Sequence, residues 1–335
     1  MKRVTLDTIA REAGTTKNTV SRAIRGKSGV SDALRVKIND LATQYGYEQK
    51  IKTGKDLTPA KVTMVCNSNL LCDTYFWPSV MGGIFEYAAS HQISIYTVTM
   101  DMIKDDVKYL LPLQEKHCDG ILVVGTIPNA QLMRIDQLNI PMVVVDHYND
   151  HVACDYINAA NETGTLKAVD FLAKQGHSKI GFVNNQDARY VSSLTHRYEG
   201  YKKKMKALGL TVDPNFVWPN SAYEDGSYFH DQFEKLKAYG EAPTAWICVN
   251  DLTAYTLCSV LTERGMRIPE DVSVVGFDNI PGVFNTPLTT LEIPQRTMGY
   301  RAMRRLMRRL NHPDEPYENI EIFTQLIDRG SVGKV

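Results

Sequence analysis

The sequence predicts an α/β protein in two parts: a small all-helical unit at the amino terminus and a two-lobed body built on parallel sheets. Three observations carry that prediction. Charge is split along the chain: residues 1–55 hold twelve Lys and Arg against five Asp and Glu, while the whole chain of 335 residues is neutral. A cationic module is thus tied to an acidic body. The apolar pattern changes near Val62, from helical spacing in short segments to apolar runs that alternate with helical stretches. Between the two regimes lies the polar stretch Tyr47–Lys61, with Gly54 and Pro59. The expected division is a helical unit over 1–47, a linker over 48–61 and a body over 62–335.

Composition narrows the classes of function. Hydrophobic residues make up 43% of the chain, as in ordinary globular proteins. No run of 18 apolar residues marks a membrane span, and no apolar leader precedes a cleavage site. The six cysteines make no CxxC and no metal-like spacing with His. They are expected to be small buried hydrophobes in a reducing cytoplasm, with no metal site and no cofactor.

In the amino-terminal unit, Leu6, Ile9, Ala10 and Ala13 recur at helical spacing and predict a first helix over Leu6–Ala13. Gly14 permits a turn. Thr16 is placed to cap a second helix over Lys17–Arg25, whose inner side carries Val20, Ala23 and Ile24. Ser31 caps a third, with Leu34, Ile38 and Leu41 as its apolar stripe. Three short helices with a tight turn between the first two describe a helix-turn-helix. Lys17, Asn18 and Arg22 are left on the open face of the second helix. Lys and Arg can bond guanine edges and Asn can bond adenine in a major groove. Thr5, Thr16, Thr19 and Ser21 suit phosphate contacts that set register. A helical bundle with merely solvated charges gives no reason for these polar residues beside so cationic a balance.

The segment "TLDTIAREAGTTKNTVSRAIRGKSGVSDALRVKI" resembles the DNA-binding headpiece of the lactose-repressor (LacI/GalR) family of transcription regulators, most specifically in "TVSRAI" and in "VS" followed by Arg. The resemblance implies that Lys17 and Asn18 occupy variable base-reading positions and that Arg22 is a further base contact. The linker departs from the family pattern. The usual Pro-Asn pair and Ala-Arg-x-Leu hinge, whose leucine wedges into the minor groove, are missing. Ile51 and Leu57 are the apolar residues at hand as substitutes, and Lys50, Lys52 and Lys55 can supply phosphate contacts.

In the body, "KVTMVCNS", "ISIYTVTM", "DGILVVG" and "PMVVVD" read as buried strands. "PSVMGGIFEYAASHQ", "DDVKYLLPLQEKHC" (interrupted by Pro112) and "AQLMRIDQLN" read as the helices between them. A second series of strands and helices begins near Asn161. Such alternation implies parallel sheets covered on both faces, with a ligand cleft at the strand ends. "RYEGY", "PTAWICVNDLTAY", "ERGMRIPEDVSVVGFDN", "PLTTLEIPQRTMG" and "LIDRGSV" are similar to successive landmarks of the same family. The resemblance therefore implies a periplasmic-binding-protein-like body. The arginines of "YRAMRRLMRRL", Tyr300–Leu310, are expected on the solvated face of an amphipathic helix.

Sugars are held by charged or amide groups on adjacent hydroxyls and by an aromatic face against the ring. The resemblance assigns Arg197, Asp278 and Asn250 to ligand polar groups, Tyr223 to stacking, Tyr75 and Phe76 to the cleft wall, and His147 and Asn158 to looser matches. Each also has a structural alternative. Asp278 and Asn250 can satisfy loop amides, Arg197 can form a salt bridge, and the aromatics can belong to the core.

What this implies is a homodimeric, cytoplasmic regulator, most simply a repressor, that reads a near-palindromic operator. A small sugar-like effector between the lobes shifts its affinity for DNA. A solute-binding receptor is the alternative, but it would carry an export signal and no headpiece. An enzyme finds no support, because GxGxxG, Walker, HExxH and GxSxG patterns are all missing. Arg22→Ala is expected to abolish specific operator binding and leave ligand binding intact; equal operator affinity of variant and parent in a gel-shift titration would count against the headpiece assignment.

Overall fold

The structure, a computed structural model, describes residues 6–16, 19–20, 23, 30–31, 34, 37–38, 41, 60–100, 118–185, 191–220, 226–280 and 287–335. Thr5, Lys17, Asn18, Ser21, Arg22 and Tyr223 lie outside these, as do the linker residues 48–59 and the helix read around Pro112. The chain divides into two compact units, Met1–Thr58 and Pro59–Val335.

In the first unit, helix α1 (Leu6–Ala13) buries Ile9, Ala10 and Ala13 against Val20, Ala23 and Ile38. The chain leaves α1 through Gly14 at φ 70°, a left-handed turn that glycine adopts without steric cost. Thr16 then caps the next helical turn, its Oγ1 accepting from the Thr19 amide at 3.2 Å.

The second unit holds two six-stranded sheets. The first contains β1 (Lys61–Cys66), β2 (Ser94–Thr99), β3 (Gly120–Val124), β4 (Met142–Val145), β5 (Asp155–Ala159) and β11 (Asn319–Ile322), in the order β11-β5-β4-β3-β1-β2, all parallel. The second contains β6 (Ile180–Asn185), β7 (Val217–Asn220), β8 (Ala245–Cys248), β9 (Ser273–Asp278), β10 (Thr289–Glu292) and β12 (Gln325–Ile327), in the order β12-β10-β9-β8-β6-β7. Its edge pair β10–β12 is antiparallel, an exception to the parallel expectation.

The unbroken apolar runs have a direct cause. Along β3, Ile121 and Val123 enter one core cluster while Leu122 and Val124 enter another. On β8, Trp246 and Cys248 face one side and Ala245 and Ile247 the other. A strand covered on both faces must be apolar at every position. The covering helices are α2 (Ser68–Cys72), α3 (Trp77–Ser90), α4 (Asn129–Asp136), α5 (Asn161–Lys174), α6 (Ser192–Ala207), α7 (Ser227–Tyr239), α8 (Asp251–Glu263) and α9 (Gln295–Asn311).

The lobes are not consecutive in sequence. Helix α9 and strand β11 return to the first lobe after the second has been built. α9 lies so close on α3 that a Cβ at Gly299 would run into the Val80 carbonyl oxygen, and one at Gly83 into that of Arg296. The arginines of α9 correct the expectation of a solvated face. Arg301, Arg304 and Arg308 are exposed, but Arg305 and Arg309 are buried around Asp155. Arg305 Nη2 and Arg309 Nε each donate to that carboxylate at 2.8 Å. Asp155 is fully buried, so it requires such partners. The cysteines also depart in part from expectation: Cys66, Cys154, Cys248 and Cys258 are buried, Cys118 is half-buried and Cys72 is exposed.

Gly299→Ala is expected to cost about 1–3 kcal/mol of stability by forcing α3 and α9 apart; an unchanged urea midpoint would contradict the close helix contact.

Candidate functional site

A cavity of about 690 Å³ opens at the carboxyl ends of the strands of the second unit. Parallel sheets place ligands there because the strand ends and the loops that follow converge on one side. One wall is the segment from Asn67 to Trp77 with Val124–Thr126 and Asp146; the other includes Val191, Arg197, Asn250 and Asp278. The lobes touch at the margin, where the Tyr148 amide donates to Ser192 Oγ at 2.9 Å.

Arg197 projects from α6 and is 3% exposed. Its Nε donates to Asn161 Oδ1 at 2.8 Å and its Nη1 to the Val249 carbonyl at 2.6 Å. Nη2 stands 3.0 Å from Asp278 Oδ1, and the guanidinium carbon lies 3.9 Å from the centre of the Phe277 ring. Strand β8 delivers Val249, and β9 delivers Phe277 and Asp278. Asp278 ends its strand at φ 111° and Asn279 follows at φ 54°, a backbone course that L-residues seldom take. Such strain at a cleft marks a position held for its side chain.

Three carboxyls gather around this one cation. Asp146 leaves β4 at φ 55°; it is 8% exposed and its Oδ1 has no hydrogen bond. Burial pushes its carboxyl up to about 7, with Arg197 opposing and Asp278 adding to the rise. Burial likewise pushes Asp278 up to about 6, against the pull of Arg197. Asp278 Oδ1 has only the ion pair, off the hydrogen-bond direction. Beneath them Asp251 accepts from Thr290 Oγ1 at 2.6 Å and from the Ile280 amide at 3.0 Å, and burial raises it to about 7. Gly276 makes room for it, since a Cβ there would strike Asp251 Oδ1.

Of the residues singled out in the sequence, Tyr75, Phe76, Arg197, Asn250 and Asp278 line the cavity. Tyr75 and Phe76 are half-buried, their loop held by Asp73 Oδ2, which accepts from the amides of Phe76 at 2.8 Å and Trp77 at 2.7 Å. Asn250 also caps α8, its Oδ1 accepting from the Thr253 amide at 2.9 Å. His147 and Asn158 are not brought to the cavity. His147 is 2% exposed, neither ring nitrogen has a hydrogen bond, and burial lowers its pKa. The chain turns at Asp146, so the carboxyl faces the cleft and the imidazole packs behind it. Asn158 lies within β5 and donates from Nδ2 to Asn319 Oδ1 at 3.2 Å across the strand pair. Asp146 was missed in the sequence, although "VVVD" ends in a carboxylate as "GFD" does.

Comparison with known proteins gives this geometry its context. Residues 5–49 match the bacterial regulatory proteins of the lacI family, and residues 169–332 match the periplasmic binding protein-like domain. The chain belongs to the LacI/GalR family. Among its relatives, the HTH-type transcriptional repressor PurR of Vibrio atlanticus (strain LGP32) is 29% identical, with 98% of both chains covered. PurR of Haemophilus influenzae (strain ATCC 51907 / DSM 11121 / KW20 / Rd) is 28% identical, with 99% of both covered. In structure, the chain is similar to the transcriptional regulator CelR in its cellobiose complex (TM-score 0.71, 22% identity, 98% of this chain and 100% of that one). It is also similar to the lac repressor dimer bound to operator and the anti-inducer ONPF (TM-score 0.69, 21% identity, 99% and 100%). This LacI-family chain is a DNA-binding transcription regulator, and the PurR relatives named above are transcriptional repressors.

The carboxyls of the cleft carry a consequence for stability. A carboxyl whose folded pKa is raised keeps its proton in the native state at pH values where the unfolded chain has lost it, so its contribution to stability falls as pH rises from about 4 to 7. The buried His147 and His177, with lowered pKa values, act in the opposite direction. The difference between variant and parent isolates Asp146. Asp146→Asn is expected to raise Tm at pH 7.5 by about 2–4 °C, corresponding to ~1 kcal/mol, with the gain vanishing towards pH 5; a gain that does not change with pH would contradict the assignment.

Proposed function

We propose that the chain is a homodimeric repressor in the cytoplasm whose grip on a near-palindromic operator is set by a sugar or sugar derivative bound in the cleft. The single observation that carries the effector half is the buried guanidinium of Arg197, held beside Asp278 at the end of β9 and open to the cavity. A fork of donors beside a carboxylate suits the vicinal hydroxyls of a sugar ring, which both donate and accept. Tyr75 and Phe76 on the opposite wall offer aromatic faces to the apolar side of the ring. The cellobiose complex of CelR and the ribose-bound regulator of Enterococcus faecium, each with this fold, support that choice of ligand.

The DNA half rests on the headpiece. Lys17, Asn18 and Arg22 are proposed to read base edges, and Thr5, Thr16, Thr19 and Ser21 to contact phosphates. Two headpieces on a C2 dimer would address half-sites one helical turn apart. An effector acts on them only by binding one arrangement of the lobes more tightly than the other. Asp146, Tyr75 and Phe76 come from the first lobe and Arg197, Asn250 and Asp278 from the second, so a ligand touching both sets would couple to lobe closure.

The test is operator selection with the full chain, followed by titration at several salt concentrations with and without a panel of sugars. The expected result is a duplex bound with a steep negative slope of log affinity against log salt, and a sugar that shifts that affinity about tenfold or more. Arg197→Ala is expected to bind the operator normally and lose the shift. No sequence preference at physiological salt, or a shift retained in Arg197→Ala, would contradict the proposal.

A further inference from the structure

The chain crosses between the lobes after β5, after β10 and after β11. Beside the first crossing Asn161 Oδ1 accepts from Arg197 Nε at 2.8 Å, and beside the last the Thr324 carbonyl accepts from Lys167 Nζ at 2.7 Å. These donors sit on α6 and α5, helices of the second lobe, so both crossings are fastened to one body. The crossing after β10 differs. Gln295 opens α9, a helix of the first lobe, and its side chain reaches back into the second. It is 6% exposed, and its Nε2 donates to the backbone carbonyl of Asp278 at 2.8 Å. The Ile293 amide also approaches that carbonyl, at 3.4 Å. The bond lands where the backbone is least free, with Asp278 at φ 111° and Asn279 at φ 54°. Behind Gln295, α9 has no slack against α3, because backbone meets backbone at Gly299 and Gly83. α3 in turn begins directly after Tyr75 and Phe76, its first amides held by Asp73. One side-chain amide thus links the Asp278 wall of the cleft, through two closely packed helices, to the aromatic wall opposite. At the cleft margin the lobes meet again, where the Tyr148 amide donates to Ser192 Oγ at 2.9 Å.

We infer that Gln295 is a positioning residue of the effector switch: its side-chain amide holds the lobes in the arrangement that closes the Tyr148–Ser192 contact, and sets how readily they leave it. The inference rests on the effector role proposed for the cleft, through which lobe arrangement bears on operator binding. The lever is geometric. A small displacement beside the crossings, about which the lobes turn, becomes a larger one at the margin where Tyr148 meets Ser192. An apolar side chain in place of Gln295 would leave the buried Asp278 carbonyl with only the longer bond from Ile293, and would free α9 from the second lobe at that point.

The test is hydrogen exchange at the Tyr148 amide in the effector-free full chain, for parent, Gln295→Met, Ser192→Ala and the Gln295→Met/Ser192→Ala double variant. Ser192→Ala removes the acceptor and gives the rate of the open margin. Gln295→Met is expected to speed exchange at Tyr148 about threefold or more while the core amides of β3 keep the parent's rates. The double variant is expected to exchange no faster than Ser192→Ala, since both changes act on one contact. Gln295→Glu keeps the shape and replaces the donor with an acceptor, and is expected to act as Gln295→Met does. The operator affinity of effector-free Gln295→Met is expected to move by a similar factor. A Tyr148 rate that neither Gln295 variant changes, no rise in Ser192→Ala, a rise shared equally by β3, or an operator affinity equal to the parent's would overturn the inference. The exchange rates are measured without any sugar, so failure of the effector reading shows separately, as a panel of sugars that leaves the parent's operator affinity unchanged.

Discussion

A buried guanidinium must find acceptors, and Arg197 gathers its own from three distant stretches of chain: Asn161 at the start of α5, Val249 after β8, and Phe277 with Asp278 at the end of β9. Much of the second lobe's cleft wall follows from that requirement. The carbonyl of Val249 fixes where β8 ends, and Asp278 is held in a left-handed turn that its backbone would otherwise avoid. The same cation limits the cost of burying carboxyls on both sides of the cleft. Without it, Asp146 and Asp278 would face each other as uncompensated charges in a poorly solvated space.

The first lobe is organised by the converse constraint. Asp155 is a carboxylate without water, and it draws Arg305, Arg309 and the amide of Glu318 onto itself. That cluster holds the returning helix α9 and the strand β11 against a sheet begun more than two hundred residues earlier. The chain therefore passes between lobes more than once, and the lobes are linked by several strands of backbone. Such a connection suits rigid lobes that change their mutual angle, the kind of two-state element through which a ligand can act at a distance.

The elements with strong local patterning were legible in the sequence. Core strands such as β3 and β9 and the helices between them announce themselves by continuous apolar runs and by helical spacing. So did Arg197, Asp278 and Asn250, because each stands in a short motif at a strand end or on a helix. What escaped was set by partners far along the chain. Helical phase puts Arg305 and Arg309 on the face of Ala302 and Leu306 and Arg304 and Arg308 on the other; what no local pattern supplies is their partner Asp155, about 150 residues away. The choice between His147 and Asp146 depended on a positive φ at Asp146, which decides which of two neighbours faces the cavity. Asn158 was drawn off by Asn319, a strand partner that periodicity does not reveal.

The central claim is that one guanidinium organises and neutralises the cleft. The most direct measurement is urea unfolding of the full chain with Arg197→Met, a substitution that keeps length and apolar contact while removing the charge and the donors. Stranding Asp278 and Asn161 in this way is expected to lower stability by about 3–5 kcal/mol at neutral pH, and by less at pH 5, where the carboxyls hold their protons. A loss below ~1 kcal/mol at neutral pH would mean that the cleft stands without its cation, and would contradict the account.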